Sequence, residues 1–284
     1  MGNDLLKRFD LSGKVAAITG GGGELCGTMA QVLGSAGVKV AILDISREKA
    51  EARAQAVTAA GGTALALACD VLDTAQLKDC YDRILGLWST PDFLINGAGG
   101  NDPRGSTDLE FHPPSGADRP AAKSFFDLDP AGFRHVFDLN FMGTFLTTRV
   151  FGAGMVARGS GAIVNISSMS AFMPLTKVAA YSAAKAAVSN FTRWLAVHFA
   201  HTGVRVNALA PGFFMTEQLR FLHIDAKTGQ LTPRARQVID HTPMGRYGVA
   251  DDLIGALVWL LSDAAAFVTG VVVPIDGGFS SYSI

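Results

Sequence analysis

The feature that most constrains this chain is a rhythm of short, nearly continuous apolar runs alternating with longer segments whose apolar residues recur at helical spacing. The runs are KVAAIT (14–19), VKVAILD (38–44), TALALACD (63–70), DFLING (92–97), GAIVNIS (161–167), VRVNALAP (204–211) and VVVPID (271–276). A strand that is apolar on both faces leaves neither face to water, so helices must cover both sides of the sheet. The pattern predicts an α/β fold: one Rossmann-type, doubly wound parallel sheet of about seven strands with helices on both faces. Ligands should lie at the carboxyl ends of the strands. All 284 residues (1–284) read as a single domain.

Two stretches break the rhythm. Residues 101–129 carry four of the eleven prolines (Pro103, Pro113, Pro114, Pro120) and read as a long inserted loop. Residues 213–249, after the sixth run, have room for one or two short helices that cover a substrate. Lys plus Arg is 24 against 25 Asp plus Glu, so the basic surplus needed for a nucleic-acid partner is missing. The longest candidate span, 253–261, is too short to cross a bilayer, and no membrane association is expected. Cys26, Cys69 and Cys80 are odd in number and form no C-x-x-C pair, which points to a reducing cytoplasm without disulfides or a zinc site. The charged N-terminus has no secretory h-region.

After the first run comes Thr19-Gly20-Gly21-Gly22-Gly23-Glu24-Leu25-Cys26-Gly27. Glycines here let the backbone turn sharply and approach a pyrophosphate, whose charge the following helix N-terminus stabilises. Asp44 ends the second run, 24 positions after Gly20. A carboxylate there accepts from ribose hydroxyls and repels a 2′-phosphate, which favours NAD over NADP. The alternative for Asp44 is a helix N-cap. Tyr181 and Lys185 are four apart in a helical segment and so share one face. A phenol with a pKa of roughly 10 becomes a usable acid or base beside an ammonium.

Five motifs in this order, TGGGG, NGAGG (96–100), NISS (165–168), YSAAK and PGFFMT (211–216), strongly resemble the short-chain dehydrogenase/reductase family over about residues 9–281. The resemblance implies that Tyr181 is the catalytic acid/base and that Lys185 lowers its pKa and holds the nicotinamide ribose. It further implies that Ser168 hydrogen-bonds the reacting oxygen and that Asn140 holds a relay water. For NAD it implies Gly20, Gly22, Gly23, Leu25 and Asp44 around the pyrophosphate and adenosine ribose, with Asp70 and Val71 flanking adenine. Asn96, Ala98 and Gly99 would line the path to the nicotinamide ribose, and the backbone around Pro211 and Phe214 with the Thr216 hydroxyl would meet the carboxamide. No metal is required, and His198 with His201 fits a helix C-terminus better than a metal site. The resemblance also implies a homotetramer.

One departure stands out: Glu24 and Cys26 replace the second and third glycines of the family's T-G-x-x-x-G-x-G turn. Glu24 brings a carboxylate to the pyrophosphate unless it turns to solvent. Within the family, the Pro-rich insertion, SSMSAFMPLTKVAAYSAAK and PIDGGFSSYS are most similar to the subgroup of D-mannonate oxidoreductases (fructuronate reductases), which implies a small sugar-acid substrate. For such a substrate Lys177 is the expected carboxylate partner, with Asn101 and Arg104 meeting hydroxyls or the same carboxylate. The alternatives are another polyol, gluconate or a 3-oxoacyl substrate, or a non-catalytic dinucleotide-binding protein.

Overall fold

The computed structural model describes residues 2–114 and 121–283. The seven apolar runs become strands β1 (Val15–Thr19), β2 (Lys39–Asp44), β3 (Thr63–Ala68), β4 (Phe93–Asn96), β5 (Gly161–Ile166), β6 (Val204–Pro211) and β7 (Val272–Ile275). All pair in parallel, in the order β3-β2-β1-β4-β5-β6-β7. The helices are α1 (Gly2–Lys7), α2 (Glu24–Ser35), α3 (Arg47–Ala59), α4 (Thr74–Leu87), α5 (Pro130–Phe137), α6 (Gly143–Arg158), α7 (Ala179–His198), α8 (Glu217–His223), α9 (Pro233–His241) and α10 (Ile254–Leu261).

Alternation along β1 divides the core. Ala16 and Ile18 pack with Met29, Leu33 and Leu257 of α2 and α10, while Val15 and Ala17 face Leu77, Phe151 and Leu195 of α4, α6 and α7. Each fully buried Leu or Ile contributes about 1.5–3 kcal/mol, so the two layers hold the sheet from both sides. Among the described residues no helix is long and apolar enough to cross a membrane.

The strand order reverses beside β1, whose last residue Thr19 pairs with Leu43 on one side and Asn96 on the other. The loops leaving β1 and β4 therefore diverge from adjacent strand ends and open a crevice, which is where such sheets bind ligands. Residues 213–249 supply α8 and α9, which pack on Phe213, Met215 and Tyr247. The insertion contains 3₁₀ turns at Pro103–Gly105 and Phe125–Asp127 but no strand or α-helix among its described residues, and Pro120 lies outside them.

Candidate active site

The glycine-rich turn is bound to its neighbours through backbone groups. Thr19 Oγ1 accepts from the N–H groups of Gly97 (3.1 Å) and Ala98 (3.2 Å), locking together the loops that leave β1 and β4. Gly20 sits at φ +63°, and a Cβ there would come within 2.8 Å of the Ala98 backbone. Only glycine meets both demands. At Gly22 a Cβ would run into the Asp44 carboxylate, whose Oδ2 accepts from Gly22 N (3.0 Å) and whose Oδ1 accepts from Ser46 N (2.9 Å). Asp44 is thus not the cap of α3. That role falls to Ser46, which accepts from Lys49 N.

Helix α2 starts at Glu24, and its N-cap Gly23 offers no side-chain acceptor, whereas α3 and α4 are capped by Ser46 and Asp73. Its first-turn N–H groups, Leu25 among them, suit an anionic ligand. With the Asp44 carboxylate at the end of β2, these groups fit the phosphates and ribose of a dinucleotide.

The two departures from the glycine pattern each have a visible function. Cys26 is buried, and its Sγ fills the space that a Cβ on Gly97 would need. Burial pushes its thiol up to about 12, so Cys26 acts as a small packing residue. Glu24 turns neither wholly to solvent nor to α2: its Oε2 accepts from Glu217 N (2.8 Å), the first residue of α8. Nothing local in the sequence signals this contact.

A second group converges at the ends of β4 and β5. Between α5 and α6 the chain makes a π-type turn, Asp138–Met142, with Gly143 N bonded to Asp138 O. The widened turn leaves the Val136 carbonyl to accept from Asn140 Nδ2 (2.8 Å). Asn140 then clamps the loop after β4: Nδ2 donates to Gly100 O (2.7 Å) and Oδ1 accepts from Gly100 N (3.2 Å). A Cβ on Gly99 would lie 3.2 Å from Lys185 Nζ, so Asn140, Gly99 and Lys185 form one contiguous wall.

Lys185 is 4% exposed, and its ammonium donates to Ile166 O (2.7 Å) at the end of β5. Burial depresses its pKa to about 8. Tyr181 lies one turn earlier on α7, with Lys185 Nζ 5.6 Å from its ring centroid. Burial holds the Tyr181 phenol above its ordinary range, and a hydrogen bond with Ser168 pulls it partly back. Desolvation, which favours the neutral phenol, is thus the largest influence on Tyr181. Ser168 is 6% exposed and its Oγ also accepts from Ser170 N (3.2 Å).

Several expected ligands are already engaged. Asn96 turns inward, donating through Nδ2 to Thr148 Oγ1 (2.9 Å) and Asn165 Oδ1 (2.8 Å), so only its backbone reaches the crevice. Phe214 packs its ring in the core against Gly248, and the Thr216 hydroxyl caps α8 at Leu219 N. Val71 closes over Gly143, while Asp70 Oδ1 accepts from Leu72 N. Arg104 makes a bidentate pair with Asp102, as close as 2.7 Å, and a longer one with Asp129. It is therefore not a free cation for a substrate. Asn101 donates to Ser106 Oγ (2.9 Å), bracing the insertion.

Lys177 is different. It is the one non-glycine residue with positive φ (72°) among those described, its carbonyl accepts from Thr107 N (2.9 Å) of the insertion, and its ammonium has no ion-pair partner among the described residues. The insertion and the covering segment meet through Glu110 and Arg234 (3.8 Å). Beneath the latter, His223 Nδ1 and the Tyr247 hydroxyl share a buried hydrogen bond (2.7 Å). Among the described residues no cluster of His, Cys, Asp and Glu could hold a metal ion.

The family model described as enoyl-(acyl carrier protein) reductase matches residues 25–280. An uncharacterized oxidoreductase of Bacillus subtilis (strain 168), UxuB, is 52% identical over 96% of this chain and 97% of its own. A structure assigned as a D-mannonate oxidoreductase from Haemophilus influenza, solved with bound NAD, superimposes with a TM-score of 0.91 at 45% identity, covering 96% of this chain and 97% of the other. A gluconate 5-dehydrogenase from Burkholderia cenocepacia, in complex with NADP and tartrate, gives 0.83 at 32% identity, covering 98% and 100%. With its glycine-rich turn, parallel sheet and Ser168, Tyr181 and Lys185 in one crevice, this chain belongs to the short-chain dehydrogenase/reductase family of oxidoreductases.

Proposed function

We propose that the chain is an NAD-dependent oxidoreductase that interconverts the secondary alcohol of a sugar acid and its ketone, with D-mannonate and D-fructuronate as the pair. The observation that carries the reading is the convergence of Ser168, the Tyr181 phenol and the buried Lys185 ammonium on the same crevice as the uncapped α2 N-terminus. Asp44 supports NAD, because its carboxylate would meet a 2′-phosphate with like charge. Bound there, NAD supplies the hydride acceptor.

Tyr181 takes the alcohol proton during oxidation and returns it during reduction, while Ser168 donates a hydrogen bond to the same oxygen. Lys185, held at the Ile166 carbonyl, presents its charge to Tyr181 and to the nicotinamide ribose. Asn140 fixes the Gly99–Gly100 backbone that borders that ribose. Gly20, Gly22, Gly23 and Leu25 hold the pyrophosphate; Asp70 and Val71 flank adenine. The backbone of Asn96, Ala98, Pro211 and Phe214, with Thr216, completes the nicotinamide end.

Lys177 supports the sugar-acid assignment, since a cation four residues before Tyr181, in the loop that leads into α7 and without an ion-pair partner among the described residues, suits a substrate carboxylate. Asn101 remains a partner for a hydroxyl. Trp194 is 57% and Phe267 fully exposed, which supports a homotetramer that covers them, and the three free cysteines fit a reducing cytoplasm. The test is NADH formation from D-mannonate, run beside D-gluconate, neutral polyols, NADP and a Tyr181→Phe control. Turnover of mannonate with NAD, lost in the control, is the expected result. Turnover of gluconate or a polyol alone would replace the substrate, and NAD binding without any turnover would favour a non-catalytic protein.

A further inference from the structure

We infer that Glu24 is a positioning residue that ties the covering segment to the glycine-rich turn and, through the same carboxylate, weakens the hold on the dinucleotide. The second half rests on the reading of that turn as the NAD site. Glu24 opens α2 and Glu217 opens α8, 193 residues later, yet Glu24 Oε2 accepts from Glu217 N at 2.8 Å.

Helix α8 has seven residues, too few to persist in water without anchors at its ends. At its C-terminal end His223 is held by the Tyr247 hydroxyl (2.7 Å). At its N-terminal end the open donors are shared between two acceptors: Thr216 Oγ1 takes Leu219 N, and Glu24 takes Glu217 N. Thr216 belongs to the same segment and moves with it. Glu24 alone of the two crosses the crevice, so it sets where α8 begins relative to the cofactor groove.

The same carboxylate stands in the first turn of α2, whose N-cap has no side-chain acceptor. That end of a helix attracts anions, and a diphosphate arriving there meets a resident negative charge. Two properties are thus combined in one side chain: an acceptor that holds α8 and a charge that opposes the diphosphate. They separate by substitution, because Gln keeps an acceptor oxygen and loses the charge, whereas Ala loses both.

Three measurements on the full-length chain test this: hydrogen exchange of residues 217–223 without ligand, calorimetric NAD affinity at low and high salt, and KM and kcat. In Glu24→Ala the Glu217 amide should exchange about fivefold faster, the value of one modest hydrogen bond, and the substrate KM should rise while kcat holds within about twofold. Glu24→Gln should keep native exchange and bind NAD about fivefold tighter at low salt, the gain fading at 0.5 M as screening removes the repulsion. Native exchange in Glu24→Ala would overturn the tie. Affinity in Glu24→Gln at or below native at low salt would overturn the charge effect. Absence of NAD heat with the native chain would remove the cofactor reading and the charge effect with it, while the exchange result would still decide the tie. Near-ultraviolet circular dichroism checks that both variants fold.

Discussion

Lys185 makes the native state less stable than it need be, and Lys185→Met should reveal by how much. In the folded chain its ammonium is 4% exposed, and burial depresses its pKa from 10.5 to about 8. That difference of about 2.5 units corresponds to about 3 kcal/mol against folding below about pH 8, where the lysine is charged in both states. Methionine removes this cost at similar volume but deprives the Ile166 carbonyl of its donor, a loss of about 1 kcal/mol. The net gain at pH 7 is about 2 kcal/mol, or roughly 4 °C in Tm for a chain of this size. Between pH 8 and 10.5 the unfolded native-sequence chain binds more protons than the folded one. The lysine penalty therefore fades as pH rises, and the gap between the two proteins should close by about pH 10.5. Cys26, pushed from 9.0 to about 12, has the opposite sign, since the unfolded thiol ionises first and stability falls above pH 9. It does so in both proteins, so the difference in Tm is the quantity to read. Thermal melts by circular dichroism at pH 7, 9 and 10.5, beside turnover, make the assay. A variant no more stable than native at pH 7, or a gap that persists unchanged to pH 10.5, would refute the reasoning. Turnover should drop at least about a hundredfold, an exchange of stability for function.

Because burial raises Tyr181, its neutral form dominates at neutral pH; kcat/KM for alcohol oxidation should climb with pH above 7 while ketone reduction declines, and Tyr181→Phe should lose both limbs yet keep NAD affinity by calorimetry. Asp44→Ala should admit NADP, improving its kcat/KM by about tenfold, and should lower Tm slightly because Gly22 N and Ser46 N lose their acceptor; unchanged NADP kinetics would remove Asp44 from cofactor choice. Lys177→Gly should stabilise the chain by about 1 kcal/mol by relieving the left-handed backbone, whereas Lys177→Ala should not, and both should raise KM for a sugar acid more than for a neutral polyol. Gly97→Ala should cost about 2–3 kcal/mol in urea unfolding through collision with Cys26 Sγ and the Thr19 carbonyl, and Cys26→Gly in the same chain should recover only the cysteine's part of it.

What was legible in the sequence follows the range of the forces involved. The seven strands are set by their own residues, since a run that is apolar on both faces has one way to satisfy itself, and the structure reproduces them in order. The Tyr181 and Lys185 spacing is a property of one helix and needs no partner to be read. Arg104, read from the sequence as a substrate contact, carried a local signal against that role: Asp102 precedes it by two, across a proline, and caps the turn that aims the guanidinium back at the carboxylate. Asn96 ends a four-residue buried strand, so its register beside Asn165 already turns its amide inward. Other features depend on closure over distance. The π-turn at Asp138–Met142 contains no glycine or proline to announce it, and it exists because Asn140 must reach both Val136 and Gly100. Lys177 takes a left-handed backbone where its carbonyl meets Thr107 of the insertion, seventy residues earlier. Glu24 reads as a flaw in a glycine pattern until α8 arrives to supply its donor. A residue that violates a local motif is thus best judged by the backbone group it satisfies elsewhere, and here the violation joins the two halves of one site.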